Sequence, residues 1–167
     1  MRLHVPIQLR WSDLDAYGHV NNASVLKLLE EARVFAFWVD GGLDDPNASE
    51  WPTAVIDMSL ETRTKLVISR QEIEYLDQMP YLRRPIDVEM WIGHLGGASL
   101  DVYYEIKSPF EERGADGEVA PQTVYVKAAT TLVLIDAETD RPRRMVPHER
   151  QAWEPYLEPP LTFRRRS

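Results

Sequence analysis

The sequence predicts an α+β fold in which a curved antiparallel sheet covers one long buried helix. Three observations carry this. Residues 3–11 alternate apolar and polar, residues 22–39 follow a helical period, and the remainder of the chain reads as about five strands with no second long helix.

The opening strand places Leu3, Val5, Ile7, Leu9 and Trp11 on one face. Pro6 within it has no N–H for a ladder, so the strand lies at a sheet edge or starts after Pro6. The alternation breaks at Ser12-Asp-Leu-Asp-Ala-Tyr-Gly, a turn-rich stretch. From Asn22 to Val39 the apolar residues Val25, Leu28, Leu29, Ala32, Phe35, Ala36 and Val39 take i, i+3, i+4 spacing. Leu26, Val34, Phe37 and Trp38 widen that surface almost all round, so the helix is expected to be enclosed, ending at Asp40-Gly41-Gly42. Strands are expected at Thr53–Met58, Lys65–Tyr75, Pro85–His94, Ser99–Lys107 and Thr123–Ile135. Leu95-Gly96-Gly97-Ala98 is a hairpin turn, and 109–122, rich in Gly, Pro and acids, is a loop. Thr123–Ile135 is β-branched enough for a central strand, and the chain closes in a Pro-rich tail with Arg164, Arg165 and Arg166. A helix of about 18 residues is roughly 27 Å long, close to the width of several strands at about 4.8 Å spacing. One domain over 1–167, with its core at about 3–147, is expected. Its uncovered edges favour a homodimer or homotetramer.

Composition narrows the function. At 167 residues and 44% hydrophobic the chain is long and apolar enough for a real core. Nineteen Lys and Arg against 27 Asp and Glu, net −8, argue against a nucleic-acid partner. The longest apolar stretches, 34–39 and 128–135, fall far short of the roughly 18 residues of a membrane span. With no signal-peptide pattern at the start, a cytoplasmic location without membrane partners is expected. The absence of cysteine excludes thiol nucleophiles, disulfides and thiolate zinc sites.

The chemistry concentrates in Asp13-Leu14-Asp15-Ala16-Tyr17-Gly18-His19-Val20-Asn21-Asn22, directly before the helix. A helix N-terminus presents unpaired N–H groups and partial positive charge, which can stabilise an oxyanion. A carboxylate beside it can activate water or attack a carbonyl. The same residue types also suit a plain strand-to-helix turn with its cap. An EF-hand loop is excluded, because Tyr17 and Ser24 stand at its fifth and twelfth positions.

Asp13-x-Asp15-x-x-Gly18-His19-Val20-Asn21-Asn22, followed by Glu31-Ala32-Arg33 on the helix, resembles the opening of acyl-CoA thioesterases of the 4-hydroxybenzoyl-CoA thioesterase family, which have the hot-dog fold. Arg70-Gln-Glu-Ile-Glu-Tyr-Leu76 resembles the next core strand, and the similarity covers about residues 3–147. The resemblance implies hydrolysis of a fatty or aromatic acyl-CoA, without metal or prosthetic group, at an oligomer interface. It assigns the catalytic carboxylate to Asp15, as general base or as nucleophile forming a mixed anhydride. It puts the oxyanion donor at a backbone N–H near Asn22, with Gly18 allowing close approach, His19 and Asn21 orienting water or Asp15, and Tyr17 and Asn21 binding substrate. Asp13 is expected to hold the loop and Glu31 is a reserve carboxylate. Arg63, Arg83 and Arg84 are the cations expected for the phosphorylated part of CoA, and Phe35, Trp38, Met58 and Leu60 the acyl lining. Acyl-carrier-protein thioesters are an alternative substrate, and a non-catalytic acyl-CoA-binding or sensing protein an alternative function.

Overall fold

The computed structural model describes residues 1–39, 50–57, 63–110 and 120–164. Its elements are β1 (Leu3–Ile7), α1 (Asn22–Phe37), β2 (Trp38–Val39), β3 (Ile56–Asp57), β4 (Thr64–Tyr75), β5 (Ile86–Leu95), β6 (Ser99–Lys107), β7 (Val124–Asp136), β8 (Arg141–Pro142) and α2 (Pro147–Trp153). The main sheet runs β1-β5-β6-β7-β4 with every neighbour antiparallel, and β8 adds to β7.

β1 is an edge strand, and Pro6 sits opposite Asp87 without interrupting a central ladder. Leu3, Val5, Ile7 and Leu9 are buried on one face, but the strand ends at Ile7. A short 3₁₀ turn at Trp11–Asp13 follows and leaves Trp11 75% exposed, edge-on to Tyr81. Trp11 therefore does not continue the buried face, because the chain has already turned.

Val25, Leu28, Leu29, Ala32, Ala36 and Phe37 of α1 join one core with Val88, Met90, Val102, Tyr104, Val126 and Ala128 of the sheet. Each large apolar side chain buried there contributes about 1.5–3 kcal/mol. Leu26, Val34 and Phe35 remain 37–49% exposed, so α1 buries one side and is not enclosed all round. The helix ends at Phe37, two residues short of the expected boundary. Trp38–Val39 turn extended and pair in parallel with Ile56–Asp57, the strand found among the described residues of the expected 53–58. Asp40-Gly41-Gly42 lies outside the described residues.

Three long pairings each carry one extra residue. Ser69 interrupts β4 against β7, Gly93 interrupts β5 against β6, and Tyr125 interrupts β7 against β6. At Gly93 a Cβ would overlap the Tyr103 ring, which stacks on Trp91, so only glycine fits beneath it. The stretch read as a tail beyond 147 is structured. α2 delivers a fully buried Trp153 whose Nε1 donates to the Thr53 carbonyl at 2.9 Å, and Tyr156 follows it into the core. Leu157 then bridges Ile92, and Arg164 N–H donates to Glu74. No helix among the described residues is long and apolar enough to cross a membrane.

Candidate active site

The stretch before α1 folds on itself. Leu14 and Val20 bridge antiparallel, Asp15 N–H donates to the His19 carbonyl at 2.8 Å and Gly18 N–H to the Asp15 carbonyl at 3.2 Å. Gly18 has φ +79°, the left-handed conformation that closes such a three-residue hairpin loop. Asp13 is buried at the base. Its carboxylate accepts from Arg10 N–H at 2.7 Å and Arg10 Nη2 at 2.9 Å, and its carbonyl accepts from Asn21 N–H at 2.8 Å. Asn21 caps α1 by accepting from Ala23 N–H at 2.8 Å.

Asp15 Oδ1 accepts from the N–H groups of Tyr17 at 2.8 Å and His19 at 3.2 Å. Its other oxygen has no hydrogen-bond partner among the described residues. The half-buried carboxylate faces a cavity of about 240 Å³. Asp15, Tyr17, His19, Val20, Asn22 and Val25 form one side of that cavity. Tyr75, Asp77, Gln78, Met79 and Val126 form the other. The walls meet because Val20 N–H donates to the Met79 carbonyl at 2.8 Å and His19 bridges Pro80. Tyr75 Oη donates to the Asn22 carbonyl at 3.2 Å, tying the end of β4 to the first turn of α1. Burial pushes the Tyr75 phenol above its ordinary value, which keeps it a donor. Asn22 N–H finds no acceptor among the described residues, as expected at the first helical position. An open carboxylate oxygen, a free helix-start N–H and an apolar wall can together bind, polarise and attack a carbonyl.

The expected residues thus separate. Asp15, Tyr17, His19 and Asn22 line one cavity. Gly18 and Asn21 shape the loop and the cap and are not part of its lining. Arg63 lies elsewhere: it is 78% exposed beside Glu138, and it precedes Thr64 at the opposite end of β4 from Tyr75. Arg83 and Arg84 line a second cavity of about 410 Å³ with Leu82, Ser108, Pro109, Pro121, Thr123 and Tyr125. Among the expected acyl-lining residues, Phe35 lines a third depression with Pro6, Arg10 and Lys27, and Trp38 packs on the core instead. Met58 and Leu60 lie outside the described residues. The apolar lining found is Val25, Met79 and Val126, with Tyr75 beside them. These were missed because they meet the Asp15 loop only through pairing between residues far apart in the chain. Tyr75 ends the Arg70–Leu76 strand, and that position was its one visible signal. Among the described residues no group of three His, Asp or Glu could hold a metal ion.

Residues 9–153 match the family model of the thioesterase-like superfamily. A 73-residue stretch is 36% identical to the long-chain acyl-CoA thioesterase FadM of Escherichia coli K12, covering 40% of this chain and about half (51%) of that relative's length. A predicted thioesterase from Bacillus stearothermophilus superposes with TM-score 0.67 at 25% identity, over 96% of this chain and 99% of that one. The DHNA-CoA thioesterase of Staphylococcus aureus has the same fold, with TM-score 0.64 at 17% identity over 92% and 89% of the two chains. With most of its length matched by the family model, the chain belongs to the thioesterase-like superfamily.

Proposed function

We propose that this protein hydrolyses an acyl-CoA thioester to the free acid and CoA, with Asp15 as the reacting carboxylate. One observation carries the reading: Asp15, with one oxygen unpartnered among the described residues, lines the same cavity as Asn22, whose N–H begins α1 without an acceptor among them. The two backbone donors on Oδ1 fix the carboxylate, leaving Oδ2 to take a proton from water or to attack the thioester carbon. The Asn22 N–H and the helix dipole stabilise the oxyanion that forms. As a base, Asp15 gains the water proton while hydroxide adds to the carbonyl. Collapse expels the CoA thiolate, which takes up that proton. His19 and Tyr17 stand at the rim, where they orient water and acyl group. No metal or prosthetic group enters this scheme.

Arg83 and Arg84 in the second cavity receive the phosphorylated end of CoA. Arg84 donates only to the Phe110 carbonyl, and neither guanidinium has a carboxylate partner among the described residues. The sheet is read as curled about α1 in the hot-dog manner. The functional unit is a homodimer or a tetramer of dimers, formed where β4 leaves an edge open. The net charge of −8 favours CoA over an acidic carrier protein as the thiol carrier.

Thiol release from a panel of short, long and aromatic acyl-CoAs tests the proposal, and a chain with no cysteine adds no background to a thiol reagent. Asp15→Asn should lower kcat at least about a hundredfold on the best substrate. EDTA should change nothing. Equal rates in mutant and wild type would remove Asp15 from the mechanism. Saturable CoA binding without any turnover would instead favour a sensing protein.

A further inference from the structure

The two cavities share a wall. Asp77 lines the first and Tyr125 the second, and the Tyr125 carbonyl accepts from the N–H groups of Leu76 at 2.8 Å and Asp77 at 3.3 Å. Tyr125 is the extra residue of the β6–β7 pairing, with Ile106 opposite Val126 and Lys107 opposite Val124. The bulge departs from strict alternation, and Tyr125 at 7% and Val126 at 1% exposure are both buried although adjacent.

The Tyr125 hydroxyl has no hydrogen-bond partner among the described residues; no fully buried side-chain oxygen or nitrogen there lacks one, so this hydroxyl is open to solvent although the residue as a whole is 7% exposed. A hydroxyl open to solvent within an otherwise buried side chain is free to donate to a ligand. Asp77 Oδ1 accepts from Gln78 N–H at 2.8 Å, and its second oxygen has no partner among the described residues. An acceptor thus stands open on one side of the shared wall and a donor on the other. Burial, and then the nearby Asp77 carboxylate, raise the phenol above its ordinary value, so it stays protonated and able to donate.

We infer that Asp77 and Tyr125 read the arm that joins the thioester to the anionic end of the substrate, the Tyr125 hydroxyl donating to an amide carbonyl and Asp77 accepting from an amide N–H. The inference rests on the proposed thioester reading of the first cavity. It makes an arm bearing secondary amides, the pantetheine chemistry of CoA, a requirement for tight binding. The acyl group then lies beside Asp15, the amides cross the shared wall, and the phosphates meet Arg83 and Arg84. A simple alkyl thioester would fill the first cavity and leave the wall unused.

Titration calorimetry with two probes tests it without requiring turnover. Tyr125→Phe keeps the ring and removes the hydroxyl. It should weaken CoA about tenfold, one hydrogen bond's worth, and leave adenosine 3′,5′-bisphosphate, which lacks the arm, unchanged. Asp77→Ala should do the same. Unchanged CoA affinity in both variants would overturn the inference, and so would equal weakening of both probes, which marks a disturbed cavity. In kinetics, Tyr125→Phe should raise KM for the best acyl-CoA about tenfold with kcat within twofold. KM for the S-ethyl thioester of the same acid should not move. If wild type hydrolysed no thioester, the hydrolase reading would fall, while the CoA titration would still decide whether the wall reads the arm.

Discussion

Asp13 and Asp15 stand two residues apart and do opposite work. Asp13 is 2% exposed and spends its oxygens on Arg10, while Asp15 gives one oxygen to the backbone and keeps the other open. Removing the Asp13 carboxylate leaves the Arg10 N–H without its acceptor at the base of the loop. Asp13→Ala should therefore cost about 1–3 kcal/mol in urea unfolding. Asp15→Asn keeps an oxygen for the Tyr17 and His19 N–H groups and should unfold within about 0.5 kcal/mol of wild type. A reversal of that order would assign the loop's structural role to Asp15. The sequence made this part of the site legible because the bonds that close the turn around Asp15 span only a few residues, while the long-range ones, from Val20 to Met79 and His19 to Pro80, only dock it. Asx turns, a left-handed glycine and an asparagine cap are local chemistry. Tyr75, Met79 and Val126 were not legible, since their nearness to Asp15 depends on strand register.

At the scale of elements, alternation and helical period located β1, β4 to β7 and α1 to within a few residues. Of the two readings Pro6 allowed, the edge strand is the one found, since the strand starts before it. The period could not say which greasy side of α1 is buried, because Leu26, Val34 and Phe35 resemble Leu28, Leu29 and Ala36 in hydropathy. It also hid the buried Arg33, whose Nη1 donates to the Tyr104 hydroxyl at 3.4 Å from a position one turn beyond Leu29. Prolines made the stretch after 147 read as tail, but Pro147 opens α2, where a missing N–H costs nothing. β4 has the most consequential shape. It is 12 residues long, pairs only with β7 among the described residues, and leaves Val67 and Ile68 at least 40% exposed. An open edge of that length invites strand addition, and the proposed oligomer would use it. Sedimentation velocity should give a dimer or larger for wild type and a shift toward monomer for Val67→Lys/Ile68→Lys. A monomeric wild type would refute the proposed assembly.

Across the whole molecule, four tyrosines, of which Tyr104 and Tyr125 are buried, set an alkaline limit. Tyr75, Tyr103, Tyr104 and Tyr125 are all raised above the ordinary value of 10.0, each chiefly by burial. The folded state holds these protons more tightly than the unfolded chain. Their contribution is therefore complete below about pH 10 and disappears as pH climbs through the raised folded values. Stability measured by urea unfolding should be flat in this respect up to about pH 9 and decline above 10. Absorbance of ionised tyrosine should grow with the unfolding transition. A full tyrosinate signal from still-folded protein would show the phenols to be freely titrating.

The turn around Asp15 is closed by bonds within its own short stretch, whereas Tyr75 and Val126, which bound the space in front of it, come from distant strands. Tool and gauge are mounted separately. A library at Val25, Tyr75, Met79 and Val126 should redraw the preferred acyl length while turnover persists, so substrate choice in this scaffold can drift without rebuilding the cutting edge.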